Sequence, residues 1–159
     1  MVDARFEDGG EQPLRLKAEA AEDLPVVSAL VQDAVLTGAD MGFSRKGRRF
    51  DVLLNRFRWE DRSAAERARR PFERVRSVLS VMDVISVASQ GLGKDDKAAI
   101  LSVLALEFEP GEDGTGVLTL VLAGDGAVRL TVECVNLTLT DVTRPYRAPS
   151  GKVPQHPEG

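Results

Sequence analysis

The stretch VLTLVLAGDGAVRLTVEC, residues 117–134, sets two apolar, β-branched runs on either side of an Ala-Gly-Asp-Gly link. Aspartate followed by glycine favours a tight hairpin, because both residues accept the positive φ that turns one twisted strand back on another. Leu130, Val132 and Cys134 alternate with Thr131 and Glu133, the period of a strand with one buried and one wet face. The stretch therefore predicts an antiparallel hairpin of 117–122 and the start of 128–139, with Cys134 on the buried face as a structural thiol. After Cys134 the apolar phase moves to Val135, Leu137 and Leu139, which predicts a β-bulge or a strand passing from one packing environment to another.

Upstream, the same punctuation recurs. Ile100 to Glu109 alternates, with Leu104, Leu106 and Phe108 on one face and Ala105, Glu107 and Glu109 on the other, and ends at PGEDGTG. The run 73–89 ends at Gly91 and Gly93. Runs 34–43 and 48–59 flank RKG, where Gly47 can supply the positive φ of a tight turn. Short links between successive strands favour antiparallel neighbours, since parallel pairs need long crossovers. Before the strands, Leu24, Val27, Leu30, Val31, Ala34 and Val35 recur at helical spacing behind Asp23, a residue suited to an N-cap, and Pro25, tolerated in a first turn. They predict one amphipathic helix over about 23–32. Leu14 and Leu16, alternating with bases, predict a short strand over 14–18. The fold class is α+β and mainly β: about six antiparallel strands in a meander, curved into a bent sheet or partly open barrel, with the short N-terminal helix covering an open end.

The chain has 159 residues, 43% of them hydrophobic, enough for one ordinary domain with a core and no staples. Residues 1–13 and the proline-rich 144–159 lack periodicity and read as tails, leaving a single β-rich domain over 14–143. One cysteine excludes an internal disulfide and fits a reducing, cytoplasmic setting. The acidic, glycine-containing start has no signal-peptide pattern, and no apolar run is long enough to span a membrane.

The net charge of −4 conceals an asymmetry: residues 45–76 hold 12 Lys and Arg against 5 acids. The centre of this basic midsection is NRFRWEDRSAAERARRPFERVR, residues 55–76. Its strand part sets Phe57 and Trp59 on one face and Arg56 and Arg58 on the other, which reads either as core aromatics backed by solvated arginines or as a guanidinium-rich groove. Arg48, Arg49, Arg56, Arg58, Arg62, Arg67, Arg69 and Arg70 are the candidate anion- or partner-binding residues, because guanidinium offers a planar fork of donors to phosphate or carboxylate. Residues 62–70 predict a short surface helix or an irregular excursion, and its bases can also pair with the chain's own acids.

Other chemistry is sparse. The single histidine, His156, lies in the C-terminal tail, so His-centred triads and multi-His metal sites are not expected. GLGK (91–94) and AGDGA (123–127) match no phosphate-loop fingerprint and read as turns. Glu107 and Glu109 stand about 7 Å apart on one strand face, a spacing open to acid/base work but normal for a wet face. Asp95 and Asp96 read as a polar turn. No catalytic residue, cofactor or metal ligand is assigned.

LVQDAV (30–35), FDVLLNRFRWED (50–61), ILSVLALEFEPGE (100–112) and LTLVLAGDGAVRLTVEC (118–134) together make the chain resemble a family of short, uncharacterised alphaproteobacterial proteins, a domain of unknown function. The likeness spans about 14–147. It implies a bacterial protein of one domain and brings no activity, cofactor or site residue. Taken together, these features favour a non-catalytic binding or scaffolding module acting through a protein partner, with homodimerisation through an unpaired edge as one form. The alternative is an anion-binding protein, with RNA or a phosphorylated metabolite as ligand, that uses the arginine-rich midsection. A third reading is an enzyme working through carboxylates and arginines in the sheet's concavity.

Overall fold

The computed structural model describes residues 12–69, 73–92 and 97–147. Its strands are β1 (Arg15–Ala18), β2 (Val35–Thr37), β3 (Met41–Ser44), β4 (Arg49–Phe57), β5 (Glu73–Val81), β6 (Val84–Gln90), β7 (Ile100–Pro110), β8 (Gly116–Leu122), β9 (Gly126–Val132), β10 (Leu137–Asp141) and β11 (Tyr146–Arg147). Two short helices are α1 (Leu24–Val31) and α2 (Arg62–Ala68). Every strand pairing is antiparallel, in the order β1-β10-β5-β4-β2-β7-β8-β9-β6, with β3 beside β4 and β11 beside β5. The result is one bent, open antiparallel sheet, as expected, but the meander holds only for β3–β4–β5 and β7–β8–β9; β1–β10–β5, β2–β7 and β9–β6 pair strands far apart in sequence.

Among the described residues eleven strands replace the expected six: three long runs break where the sheet must turn, and β1 and β11 are added at the two ends. Residues 34–43 split into β2 and β3 at a turn held by Asp40, whose carboxylate accepts the Thr37 N–H at 2.8 Å and its hydroxyl at 3.0 Å. Residues 73–89 split at Asp83, which takes φ 57°. The phase flip after Cys134 marks the third break: β9 ends at Val132 and the chain re-enters the sheet as β10 beside a different neighbour. The last two corners lie against each other, since Met82 N–H donates to Asn136 O (2.8 Å) and Glu133 N–H to Asp83 O (3.0 Å). The β5–β6 and β9–β10 segments thus bend together. Register irregularities sit elsewhere, in β6 between Val84 and Ser86 and in β7 between Val103 and Ala105.

The β7 bulge corrects the reading of that strand. It buries Val103 and Leu106 but turns Leu104 outward to 42% exposure, because an extra residue on one strand reverses the facing of those beyond it. Two turn assignments also shift. In the β3–β4 turn Arg48, not Gly47, takes the positive φ (53°), while the Gly47 N–H donates to Ser44 Oγ. In the β8–β9 hairpin Gly124 and Asp125 adopt φ 81° and 67°, one position ahead of the Asp-Gly pair. Asp23 does not cap α1; its carboxylate instead accepts the backbone N–H groups of Glu19 and Ala20 before the helix. Past Thr143, where the domain was expected to end, β11 pairs Tyr146 with Arg74.

The inner faces of the two halves of the sheet share one core, in which Leu54, Leu79, Leu118, Leu120, Leu137 and Leu139 are almost fully buried. Helix α1 covers it with Leu24, Val27 and Val31 and is tied to β7 by Ser28 Oγ, which accepts the Leu106 N–H at 3.0 Å. At the far end of β7 the Phe108 ring lies over Gly116. A Cβ at Gly116 would fall 2.5 Å from Phe108 Cζ and 2.6 Å from Glu109 O. Gly116→Ala is expected to lower stability by about 1–3 kcal/mol, as overpacking does. Gly42→Ala, whose Cβ meets nothing within 4 Å, is the control and should leave the urea midpoint unchanged or slightly raised. Equal losses in the two variants would contradict the packing argument.

Candidate functional site

Strand β4 alternates strictly up to its end: Phe50, Val52, Leu54 and Arg56 are buried while the residues between them are half-buried. Arg56 therefore points into the protein with the apolar set and is fully buried, not solvated. Its guanidinium has five N–H donors, and each has an acceptor. Nε donates to Ser77 Oγ (2.9 Å), Nη1 to Glu60 Oε1 (2.9 Å) and Phe57 O (3.3 Å), and Nη2 to Glu60 Oε2 (2.7 Å) and Asp141 Oδ1 (3.0 Å). Asp141 Oδ1 also accepts the Ser77 hydroxyl (2.7 Å), and its Oδ2 accepts the Leu14 N–H (2.8 Å). Burial alone would push the Arg56 pKa down, but the hydrogen bonds and charges of Glu60 and Asp141 outweigh it and hold the pKa above its ordinary value. The cluster is a closed clamp joining β4, β5, β10 and the entry to β1.

Arg58 is likewise buried, at 3% exposure, between Glu73 and Asp61. Phe57, on the opposite face of β4 from Arg56, meets the Trp59 ring edge-on at 4.7 Å, and Trp59 Nε1–H donates to Gln32 O (3.0 Å). The signal for an inward Arg56 was present in the sequence as its phase with Phe50, Val52 and Leu54, but the aromatic pair pointed the other way.

Among the described residues the remaining candidate arginines do not converge. Arg48 pairs with Glu133, Arg49 with Asp51 (2.8 Å) and Arg62 with Glu66 (3.5 Å), all at exposed or half-exposed positions. Arg67 and Arg69 are exposed at the end of α2. Arg70 lies outside the described residues, as do Gly93, Lys94, Asp95, Asp96 and His156. Among the described residues no group of His, Cys, Asp and Glu is arranged to hold a metal ion, and no helix is long and apolar enough to cross a membrane. Cys134 is exposed rather than buried, because β9 stops two residues before it. Its Sγ lies 3.4 Å from Asp83 Oδ2. Partial desolvation, then the hydrogen bond and charge of Asp83, raise the thiol pKa, while hydrogen bonds from Asn136 and Cys134 lower that of Asp83.

What the fold does leave open is a groove of about 580 Å³ between α1 and β7, floored by Leu24 and Leu106 and walled by Pro25, Ala29 and Leu104. Strand β2 covers β7 only at residues 100–102, and the backbone bonds of Asp33 and Ala34 extend that cover to Val103. Among the described residues the edge beyond it has no strand partner. Gly111 N–H bonds to Thr115 O across the β7–β8 turn and Leu106 N–H bonds to Ser28 on the other side. By alternation, residues 107 and 109 face β8 and Leu106, Phe108 and Pro110 face the groove. Sequence reading missed this site because it arises from β2 stopping after three residues and from the bulge at Val103.

A family model described as "Protein of unknown function (DUF2948)" matches residues 14–156, and the chain belongs to that family. No curated protein and no solved structure matches it.

Two outcomes follow from the side-chain clusters. Arg56→Met should cost about 3–5 kcal/mol in guanidinium unfolding, because it strands the buried Asp141 carboxylate. Arg56→Met with Asp141→Leu and Ser77→Ala, which removes the buried polar set, should recover much of that loss. For the thiol, Asp83→Asn keeps a residue that tolerates the left-handed region and removes the charge that raises the Cys134 pKa. Iodoacetamide should then label Cys134 faster at neutral pH, and an unchanged rate would contradict the role given to Asp83.

Proposed function

We propose that this chain is a non-catalytic protein-binding module that captures an extended segment of a partner protein as an added strand on β7, in the groove beside α1. The observation that carries the reading is the free edge itself: Leu106 C=O and the N–H and C=O of Phe108 face a groove with an apolar floor. Main-chain groups of this kind supply affinity in strand addition, and pockets for alternate side chains supply selectivity.

The register supports a particular partner chemistry. Side chains of an added strand alternate between the two faces of the sheet. Those beside Leu106 and Phe108 enter the groove and must be apolar. Those beside Glu107 and Glu109, both exposed on the outer face of β7, meet carboxylates and favour lysine or arginine, since opposite charges on neighbouring strands attract and like charges repel. The favoured ligand is an extended segment alternating apolar and basic residues. Pro110 at the end of the edge has no N–H and limits the added strand to a few residues.

The probe is a synthetic peptide of about ten residues alternating valine and lysine, followed by the amide shifts of Phe108 and Leu106. Binding should be lost in Ala29→Trp, which fills the groove from the exposed face of α1. In Glu107→Lys with Glu109→Lys the peptide should bind about tenfold more weakly and a valine–glutamate counterpart should bind better, the effect of two cross-strand charge pairs reversed. No binding by the wild-type chain, or equal binding by the charge-reversed variant, would overturn the proposal.

A further inference from the structure

The strand pairings sort the bases of the first half of the sheet in a way the linear sequence does not. Arg15 and Lys17 on β1 lie level with Thr140 and Thr138 on β10. Those threonines lie level with Val78 and Ser80 on β5, and these with Leu53 and Asp51 on β4. Alternation then puts Arg76 and Arg74 on that same outer face of β5 and Arg49 on that face of β4. The face thus displays Arg15, Lys17, Arg49, Arg74 and Arg76, from three strands. Its one carboxylate on these strands, Asp51, already accepts from Arg49 and from Ser80 Oγ (2.5 Å). Arg15, Lys17 and Arg76 are exposed. Lys17 has a solvent-exposed contact with Glu19 at 3.5 Å, of the kind that contributes little, and Arg74 is bonded to Asn55 O at 3.1 Å.

From this juxtaposition we infer that the outer face of β1, β10 and β5 is a binding surface for the phosphate backbone of a nucleic acid. Three features select that ligand. Lys17 is level with Ser80, six residues from Arg74 along β5 and two strands away. The cations therefore spread over about 20 Å by 10 Å, far more than one phosphate group covers. Thr138 and Thr140, half-buried between the basic rows, offer hydroxyl donors, and phosphate contacts in nucleic-acid complexes draw on such side chains as well as on arginine. The apolar part of the face that solvent reaches is confined to Leu53, Val78 and Val142, since Phe57, level with Arg74, is buried; that is too little to form the desolvated centre that a protein interface needs. Phe57 and Tyr146 flank Arg74 on this face, but Phe57 is buried and Tyr146 half-buried, so bases have no row of open rings to stack on and binding is to the backbone and indifferent to sequence.

The test uses the full chain and a fluorescent oligouridylate of about twenty nucleotides, read by anisotropy across a salt series. Four phosphate contacts on a single strand predict a log–log salt slope of about −3. Arg15→Gln with Lys17→Gln and Arg76→Gln, all at exposed positions, should weaken binding at least about tenfold and flatten the slope to about −1. The same three changes should leave the melting temperature unmoved. Arg62→Gln with Arg67→Gln and Arg69→Gln, on and beside α2, should bind as the wild type does. The inference fails if the wild type does not bind, or if the triple variant keeps its affinity. It also fails if the α2 variant is the one that loses binding. Displacement by inorganic phosphate at an equal phosphate concentration would make this a small-anion site, and binding to anionic lipid vesicles in place of RNA would make it a membrane surface; either result overturns it.

Discussion

A guanidinium with no exposed surface must find every one of its partners inside the protein, and Arg56 finds them on four separate parts of the chain. An isolated buried charge is very costly, whereas a buried pair whose remaining hydrogen bonds are all satisfied is tolerated and fixes geometry. Asp141 answers Arg56 from β10, Ser77 from β5, and Glu60 from the turn after β4. Asp141 also takes the Leu14 N–H, which sets where β1 begins. The register of β1, β10, β5 and β4 is therefore set twice, once by the apolar rows and once by this clamp. A one-residue slip of β4 would turn Arg56 to the outside, leave Asp141 unanswered and expose Phe50, Val52 and Leu54 together. The outer faces of these strands inherit the same register, which brings Arg15 and Lys17 of β1 onto one face with Arg74 and Arg76 of β5.

Among the described residues the second half of the sheet has no such clamp. A sheet that bends without closing must do something with its unpaired strands. On β7 the open length is short and only partly covered: β2 shields the first residues, Ser28 takes one N–H, and Pro110 removes another donor. What is left unanswered lies beside an apolar groove on one face of the strand, with Glu107 and Glu109 exposed on the other. The bulge at Val103 contributes directly, since it turns Leu104 outward to become a groove wall.

Much of the fold was legible in the sequence. The hairpin at 122–126, the antiparallel order and the covering helix follow from period-two alternation, turn residues and helical spacing, all local properties. The phase flip after Cys134 marked a true change of packing environment. Corners were harder to see, because a long valine-rich run looks the same whether it stays in one sheet or turns through Asp83 into another neighbourhood. Cys134 was misplaced for that reason: its alternation with Leu130 and Val132 is real, but pairing ends before it. Arg56 was misplaced for a different one. Composition puts arginine outside, and only its phase with three apolar neighbours says otherwise. The β7 groove left no local mark at all, since it depends on where a distant three-residue strand stops.

Charge gives the clearest case of a linear signal dispersed by folding. Twelve bases between residues 45 and 76 suggest one basic surface, yet pairing scatters them. Arg56 and Arg58 are neutralised inside, and Arg48, Arg49 and Arg62 each face a carboxylate. The basic face that does assemble draws two of its members, Arg15 and Lys17, from a segment whose neighbours in sequence are largely acidic. A strand contributes only alternate residues to a face, so a face samples several strands at once and its field bears little relation to the sum over any one stretch. Carboxylates meanwhile collect where β7 presents Glu107 and Glu109 along its open edge. The carboxylate-lined edge and the basic face are thus each set by strand register, and the net charge of −4 describes neither.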